Sequence, residues 1–189
     1  MSLCIYCGFP HAEDRHQCEA LHEIARSIHV DLKPRQLFLG DGGRVVLNDF
    51  NSAKVTSTSP STGMPCPARW SKRNKLAPRP SPENYAGQPL TFSVDVYSMG
   101  IIFYALIAGR LPFTKQGVQL VRMSTARPEM APWWHKGYTQ VIQDMWARDP
   151  DKRPSAGEVV ERLEHILEEL GATPSFSLGS ETRDEQRYT

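Results

Sequence analysis

His29-Val30-Asp31-Leu32-Lys33-Pro34 is the stretch on which the fold of this chain turns. Taken alone, it reads as a turn-forming aspartate and a solvated lysine. Its neighbours in the chain change that reading. Upstream, from Glu19, the apolar positions Leu21, Ile24, Ala25 and Ile28 fall on one helical stripe, so a helix is expected to lead into the stretch. Downstream, Leu37-Phe38-Leu39, the turn Gly40-Asp41-Gly42-Gly43 and Val45-Val46-Leu47 read as a β-hairpin. Four further short motifs follow in a fixed order: Asn48-Asp49-Phe50-Asn51, Ser81-Pro82-Glu83, Asp95-Val96-Tyr97-Ser98-Met99-Gly100 and Asp149-Pro150-Asp151-Lys152-Arg153-Pro154.

Between these motifs the chain alternates between polar and apolar stretches. Thr56 to about Pro80 is rich in Ser, Thr, Pro, Lys and Arg and reads as a long exposed loop. Val94 to Gly109 is the most apolar run, too short to cross a bilayer, and reads as a core helix buried nearly all round. Tyr138, Val141, Ile142 and Met145 form one helical stripe, and Val160, Leu163, Leu167 and Leu170 another. Ser155 and Glu158 are spaced as a capping box for that last helix, which Gly171 should end. Residues 1–18 read as an irregular tail and 171–189 as a disordered one, leaving one domain over 19–170.

Composition narrows the class. The chain has 189 residues, 40% of them hydrophobic, and a formal charge of +1, enough apolar material for one core and too little charge for a nucleic-acid or membrane surface. Cys4, Cys7, Cys18 and Cys66 do not form a disulfide framework, which points to a reducing, intracellular and cytoplasmic setting. No signal peptide or membrane span is read. Cys4, Cys7 and Cys18 with His11 and His16 invite a zinc reading, but their spacing matches no familiar finger, and a disordered tail is the plainer alternative.

The five motifs in this order resemble the large C-terminal lobe of a eukaryotic protein kinase, from the catalytic loop to the final helix, over roughly residues 19–170. The resemblance implies an α+β fold, mainly α: a protein-kinase-like large lobe with one or two short β-hairpins at the cleft. It implies ATP-dependent phosphorylation of Ser or Thr in a protein substrate. Asp31 matches the carboxylate that orients the attacking hydroxyl and Lys33 the cation near the transferred phosphate. Asp49 matches the residue that holds magnesium on the phosphates, Gln36 stands at the second metal-binding position, and Leu37 and Leu39 would lie beneath the adenine ring. Phe50 and His29 would stack inside the lobe. Asp95 would accept backbone N–H bonds from the catalytic loop, and Glu83 and Arg153 would form a buried ion pair.

The chain also departs from that pattern. Val30 replaces an arginine that would dock an activation-loop phosphate, so phosphorylation of Thr56 or its neighbouring hydroxyls lacks an obvious partner. Gln36 replaces an asparagine and adds a methylene, a shift that magnesium's strict geometry should feel. Asn51 replaces a glycine, and Asn tolerates a left-handed backbone better than most residues. Arg69, Lys72, Arg73 and Lys75 make the long loop basic, either a solvated loop or a docking surface for an acidic peptide. No glycine-rich phosphate loop or Val-Ala-Ile-Lys strand precedes Asp31, so the chain alone is expected to bind magnesium and ATP weakly or not at all. Two alternatives to an active kinase stay open: a catalytically dead scaffold that binds protein partners, and a fragment with no independent function.

Overall fold

A computed structural model describes residues 26–40, 44–56, 68, 81–110, 112 and 127–172. The cysteine- and histidine-bearing start of the chain, Glu19 to Ala25, most of the loop after Thr56 and the segment beyond Ala172 lie outside these residues.

Two small antiparallel sheets and four helices make up the described part. Strand β1 (Arg26–Ile28) pairs with β4 (Lys54–Thr56), with Ser27 opposite Val55. Between them in sequence, β2 (Leu37–Leu39) pairs with β3 (Val45–Leu47), the hairpin expected from the glycine-rich turn. One pairing is thus nested inside the other. The consequence is positional: His29 to Lys33 leave β1 where Asn48 to Ala53 enter β4, so two motifs far apart in sequence emerge side by side.

This pairing corrects one expectation. Ile28 does not continue a helical stripe. It is fully buried on β1, in an apolar cluster with Val30, Ala68, Leu90 and Val94. A β-branched residue next to the strand register wins over the helical spacing. Thr56 corrects another. It ends β4 with 1% of its surface exposed and so offers no accessible hydroxyl. Ala68, also placed in the exposed loop by its neighbours' polarity, is buried and exchanges both backbone hydrogen bonds with Leu90, at 2.6 and 2.9 Å.

The helices are α1 (Pro82–Ala86), α2 (Ser93–Ala108), α3 (Lys136–Met145) and α4 (Ala156–Glu169). Helix α2 is the core element. Val94 faces the cluster under β1. Val96 packs with Val141 and Met145 of α3 and with Val159 and Ile166 of α4. Tyr97, Ile101 and Tyr104 pack with Ile142 and Trp146. Three neighbours on three sides explain why the sequence is apolar nearly all round. Its last turn departs from that: Leu106 and Ile107 are exposed. Gly109, in the left-handed region at φ +63°, ends the helix.

Helix α4 begins as expected. Ser155 Oγ accepts from Glu158 N at 3.2 Å and Glu158 Oε2 accepts from Ser155 N at 2.6 Å, a complete capping box. Its buried face, however, is Val159 and Ile166 with Leu163 packed beside them, while Val160 and Leu170 are exposed. The apolar residues span a face broader than one stripe. The close approach to α3 selects which edge is covered: a Cβ on Gly137 would lie 3.1 Å from Ile166 Cγ1.

Candidate functional site

The site is built from the two loops that leave β1 and enter β4. Backbone geometry comes first. Val30 sits at φ +70° and Asp49 at φ +64°, the two non-glycine residues with positive φ among those described. For β-branched Val30 this costs on the order of 1–3 kcal/mol and must be imposed by the surroundings. Asp95, in the first turn of α2, imposes it. Its Oδ2 accepts from His29 N at 2.6 Å and its Oδ1 from Val30 N at 2.8 Å. The side chain of Val30 is buried in the apolar cluster below. The loop is therefore held from beneath by a carboxylate and a core contact, as the resemblance implied for Asp95. Burial pushes the Asp95 carboxyl above its ordinary range, against the two N–H bonds that favour its charged form.

The left-handed position expected for Asn51 belongs to Asp49. Asn51 lies in the short 3-10 turn Phe50–Ser52 and uses its carboxamide instead, donating Nδ2 to Asp49 Oδ1 at 2.9 Å. His29 donates Nε2 to the Asn48 carbonyl at 2.9 Å, tying the two loops together. Its ring meets Phe50 edge-on with centroids 5.0 Å apart. The contact is the one expected, but Phe50 is 53% exposed and does not stack inside the molecule.

Above this frame the polar side chains converge. Lys33 Nζ lies 2.6 Å from Asp31 Oδ2, a half-buried pair. Gln36 follows in the 3-10 turn Pro34–Gln36 and is 3% exposed. Its Nε2 donates to Asp49 Oδ2 at 2.9 Å and to Asp31 Oδ2 at 3.2 Å. One nitrogen thus touches a carboxylate from each loop. The Gln36 bond holds the Asp49 carboxyl below its ordinary range, helped by Asn51. Gln36 Oε1 is buried and has no hydrogen-bond partner. A shallow cavity of about 440 Å³ opens over this cluster, lined by Lys33, Gln36, Phe38, Asn48, Asp49 and Asn51 among others.

The remaining candidates lie on the hairpin. Leu37 is half-buried at the base of β2 and Leu39 is 81% exposed. Phe38, Val45 and Val46 are exposed as well.

Lower in the molecule, Glu83 and Arg153 pair as expected. Arg153 donates from two nitrogens to the two Glu83 oxygens at 2.6 and 2.8 Å, and both side chains are buried. Further bonds to the carbonyls of Ser93, Ala147 and Arg148 use the other donors, and the guanidinium lies 4.9 Å from the Tyr97 ring centroid. Sequence reasoning did not assign the roles of Asn48 and of Asn51 Nδ2. Two asparagines flanking an aspartate were the available signal.

Two nested strand pairs, an apolar central helix whose Asp95 holds the His29–Val30 loop, and a meeting of Asp31, Lys33 and Asp49 make up the site. The chain belongs to the protein kinase domain family, which it matches over residues 17–163. It is 28% identical over 162 residues to Serine/threonine-protein kinase mos of Xenopus laevis, covering 79% of this chain and 45% of that protein. It is 32% identical over 175 residues to Mitogen-activated protein kinase kinase kinase 7 of Bos taurus, covering 88% of this chain and 27% of that protein. Serine/threonine-protein kinase STY17 of Arabidopsis thaliana is 28% identical over 149 residues, with 76% and 25% covered. The chain therefore spans less than half the length of these relatives.

Proposed function

We propose that the described residues form the large lobe of a protein kinase, within a unit of about residues 19–170 flanked by tails at 1–18 and 171–189, and that its cleft transfers the γ-phosphate of ATP to a Ser or Thr hydroxyl of a protein. The observation that carries this reading is the convergence of Asp31 and Asp49 on one Gln36 nitrogen, with Lys33 at the edge. Two carboxylates and a cation brought together from separate loops match what phosphoryl transfer needs: one group for the incoming hydroxyl, one for the phosphate charge.

Asp31 accepts the hydroxyl hydrogen bond and takes the proton as the new P–O bond forms and the β–γ bridge to ADP breaks. The Lys33 ammonium leaves Asp31 for the transferring phosphoryl oxygens, whose charge grows in the transition state. Leu37 and Leu39 supply apolar contact to the adenine. Asp49 would hold a divalent ion through its carboxylate, a hard oxygen ligand, and Gln36, which presents Nε2 to Asp49, would add its amide oxygen only in the opposite orientation. Magnesium is commonly held by one or two carboxylates and the substrate's phosphates, a demand the single carboxylate of Asp49 would meet. When bound, magnesium neutralises the phosphates and orients them. Use of ATP fits an intracellular, cytoplasmic setting, and among the described residues no helix is long and apolar enough to cross a membrane.

The test is transfer of radiolabelled phosphate from ATP to a generic protein substrate by the natural polypeptide that carries these residues, followed by phosphoamino-acid analysis. The reading predicts label on serine and threonine. Label on tyrosine alone, or none above an Asp31→Asn control, contradicts it.

A further inference from the structure

Gln36 carries a feature that phosphate transfer alone does not use. Its carboxamide is buried, yet only one end of it is satisfied. Nε2 spans Asp31 and Asp49, while Oε1 is buried without a partner. Buried polar atoms are normally hydrogen-bonded, and an orphan in a functional cleft calls for a reason. The opposite orientation explains the choice. Turned over, Oε1 would face Asp31 Oδ2, which already carries the Lys33 ammonium at 2.6 Å, and Asp49 Oδ2, whose side-chain donor there is Gln36 Nε2 itself. The amide proton-bearing end is therefore favoured for as long as no cation lies on Asp49 Oδ2.

The backbone of Gln36 is fixed. Its N–H donates to the Lys33 carbonyl at 2.9 Å and its own carbonyl accepts from Asn48 N at 2.9 Å. The last side-chain torsion of glutamine is broad and roughly two-fold, so a half-turn exchanges nitrogen and oxygen with little movement elsewhere.

Resting on the reading of Asp49 as the metal-holding residue, we propose that the Gln36 carboxamide is a two-position element. Without a divalent cation its NH2 stands in for positive charge and holds Asp31 and Asp49 together. With a cation on Asp49 the amide turns over and Oε1 faces the ion. Gln36 is then a positioning residue in one state and a ligand in the other.

The experiment is a magnesium chloride titration of the protein followed by the 15N-edited NMR signal of the Gln36 side-chain NH2, assigned by its loss in Gln36→Glu. The NH2 signal is expected to shift, with the midpoint of the magnesium binding that Asp49→Asn abolishes. Thermal melts supply the second readout. In EDTA, Gln36→Met and Gln36→Glu should both melt below wild type, the glutamate lower because three carboxylates then converge. Magnesium should raise the melting temperature of Gln36→Glu more than that of wild type, while Gln36→Met should bind magnesium on the order of tenfold more weakly than wild type. A Gln36 NH2 signal that stays fixed while Asp49-dependent magnesium binding saturates overturns the turnover of the amide and leaves the metal reading intact. Magnesium binding that Asp49→Asn does not change overturns both.

Discussion

Asp95 shows how one side chain fixes a site it does not line. Its two oxygens accept from consecutive backbone N–H groups, and those bonds hold Val30 in a conformation that valine avoids. Asp95→Asn keeps the shape but turns one acceptor into a donor facing an N–H. A buried donor left unmatched costs about 1–3 kcal/mol, so urea denaturation should show a loss of that size. A change below about 0.5 kcal/mol, the range of an ordinary surface substitution, would contradict the assignment. The pH dependence has a definite sign. The folded-state pKa of Asp95 is raised by burial, so its contribution to stability is complete below the ordinary carboxylate range and is lost as pH rises through the raised value. Asp95→Asn should remove that part of the profile. At this scale the sequence was readable wherever an aspartate's partner is a backbone group fixed by its loop. It was not readable at Asn51 and Phe50. Which residue takes the left-handed position, and how far a ring turns outward, depend on contacts that no spacing encodes.

Among the elements, α2 and α3 approach more closely than side chains would allow, and Gly100 is the reason. A Cβ built on it would stand 2.9 Å from Met145 Cβ, an atom fixed to the α3 backbone. Gly100→Ala brings a gain of about 1 kcal/mol in helix propensity, yet the helices must separate to admit the methyl, a cost of about 1–3 kcal/mol. The expected outcome is a lower melting temperature. A higher one would mean that the packing here is loose. The helices themselves were legible from periodicity, and the start of α4 from its Ser-x-x-Glu spacing. The covered face of α4 was not. Val159, Val160, Leu163, Ile166 and Leu167 are all apolar, and only the position of α3 decides that Val159 and Ile166 go inside. The β1–β4 pairing was hidden for a different reason. Each strand has three residues, too few for alternation to register, and the partners lie far apart in sequence.

For the whole molecule, the Glu83–Arg153 pair joins the first short helix to the turn before the last one, across 70 residues of chain. Removing one partner strands the other's charge in the interior, about 3–5 kcal/mol. Glu83→Gln and Arg153→Met should each destabilise, and the double variant should cost less than the sum; additive losses in the double-mutant cycle would mean the pair is not coupled. The order of motifs made this long-range architecture legible, because each matches a fixed place in one fold, and it brought Asp31 and Asp49 together before any coordinates did. The most direct test of the central claim is turnover itself, measured as phosphate transferred from ATP with magnesium varied, in wild type, Asp31→Asn and Asp49→Asn. Each substitution should remove most of the rate, with Asp49→Asn insensitive to added magnesium. Full activity in Asp49→Asn would contradict the account.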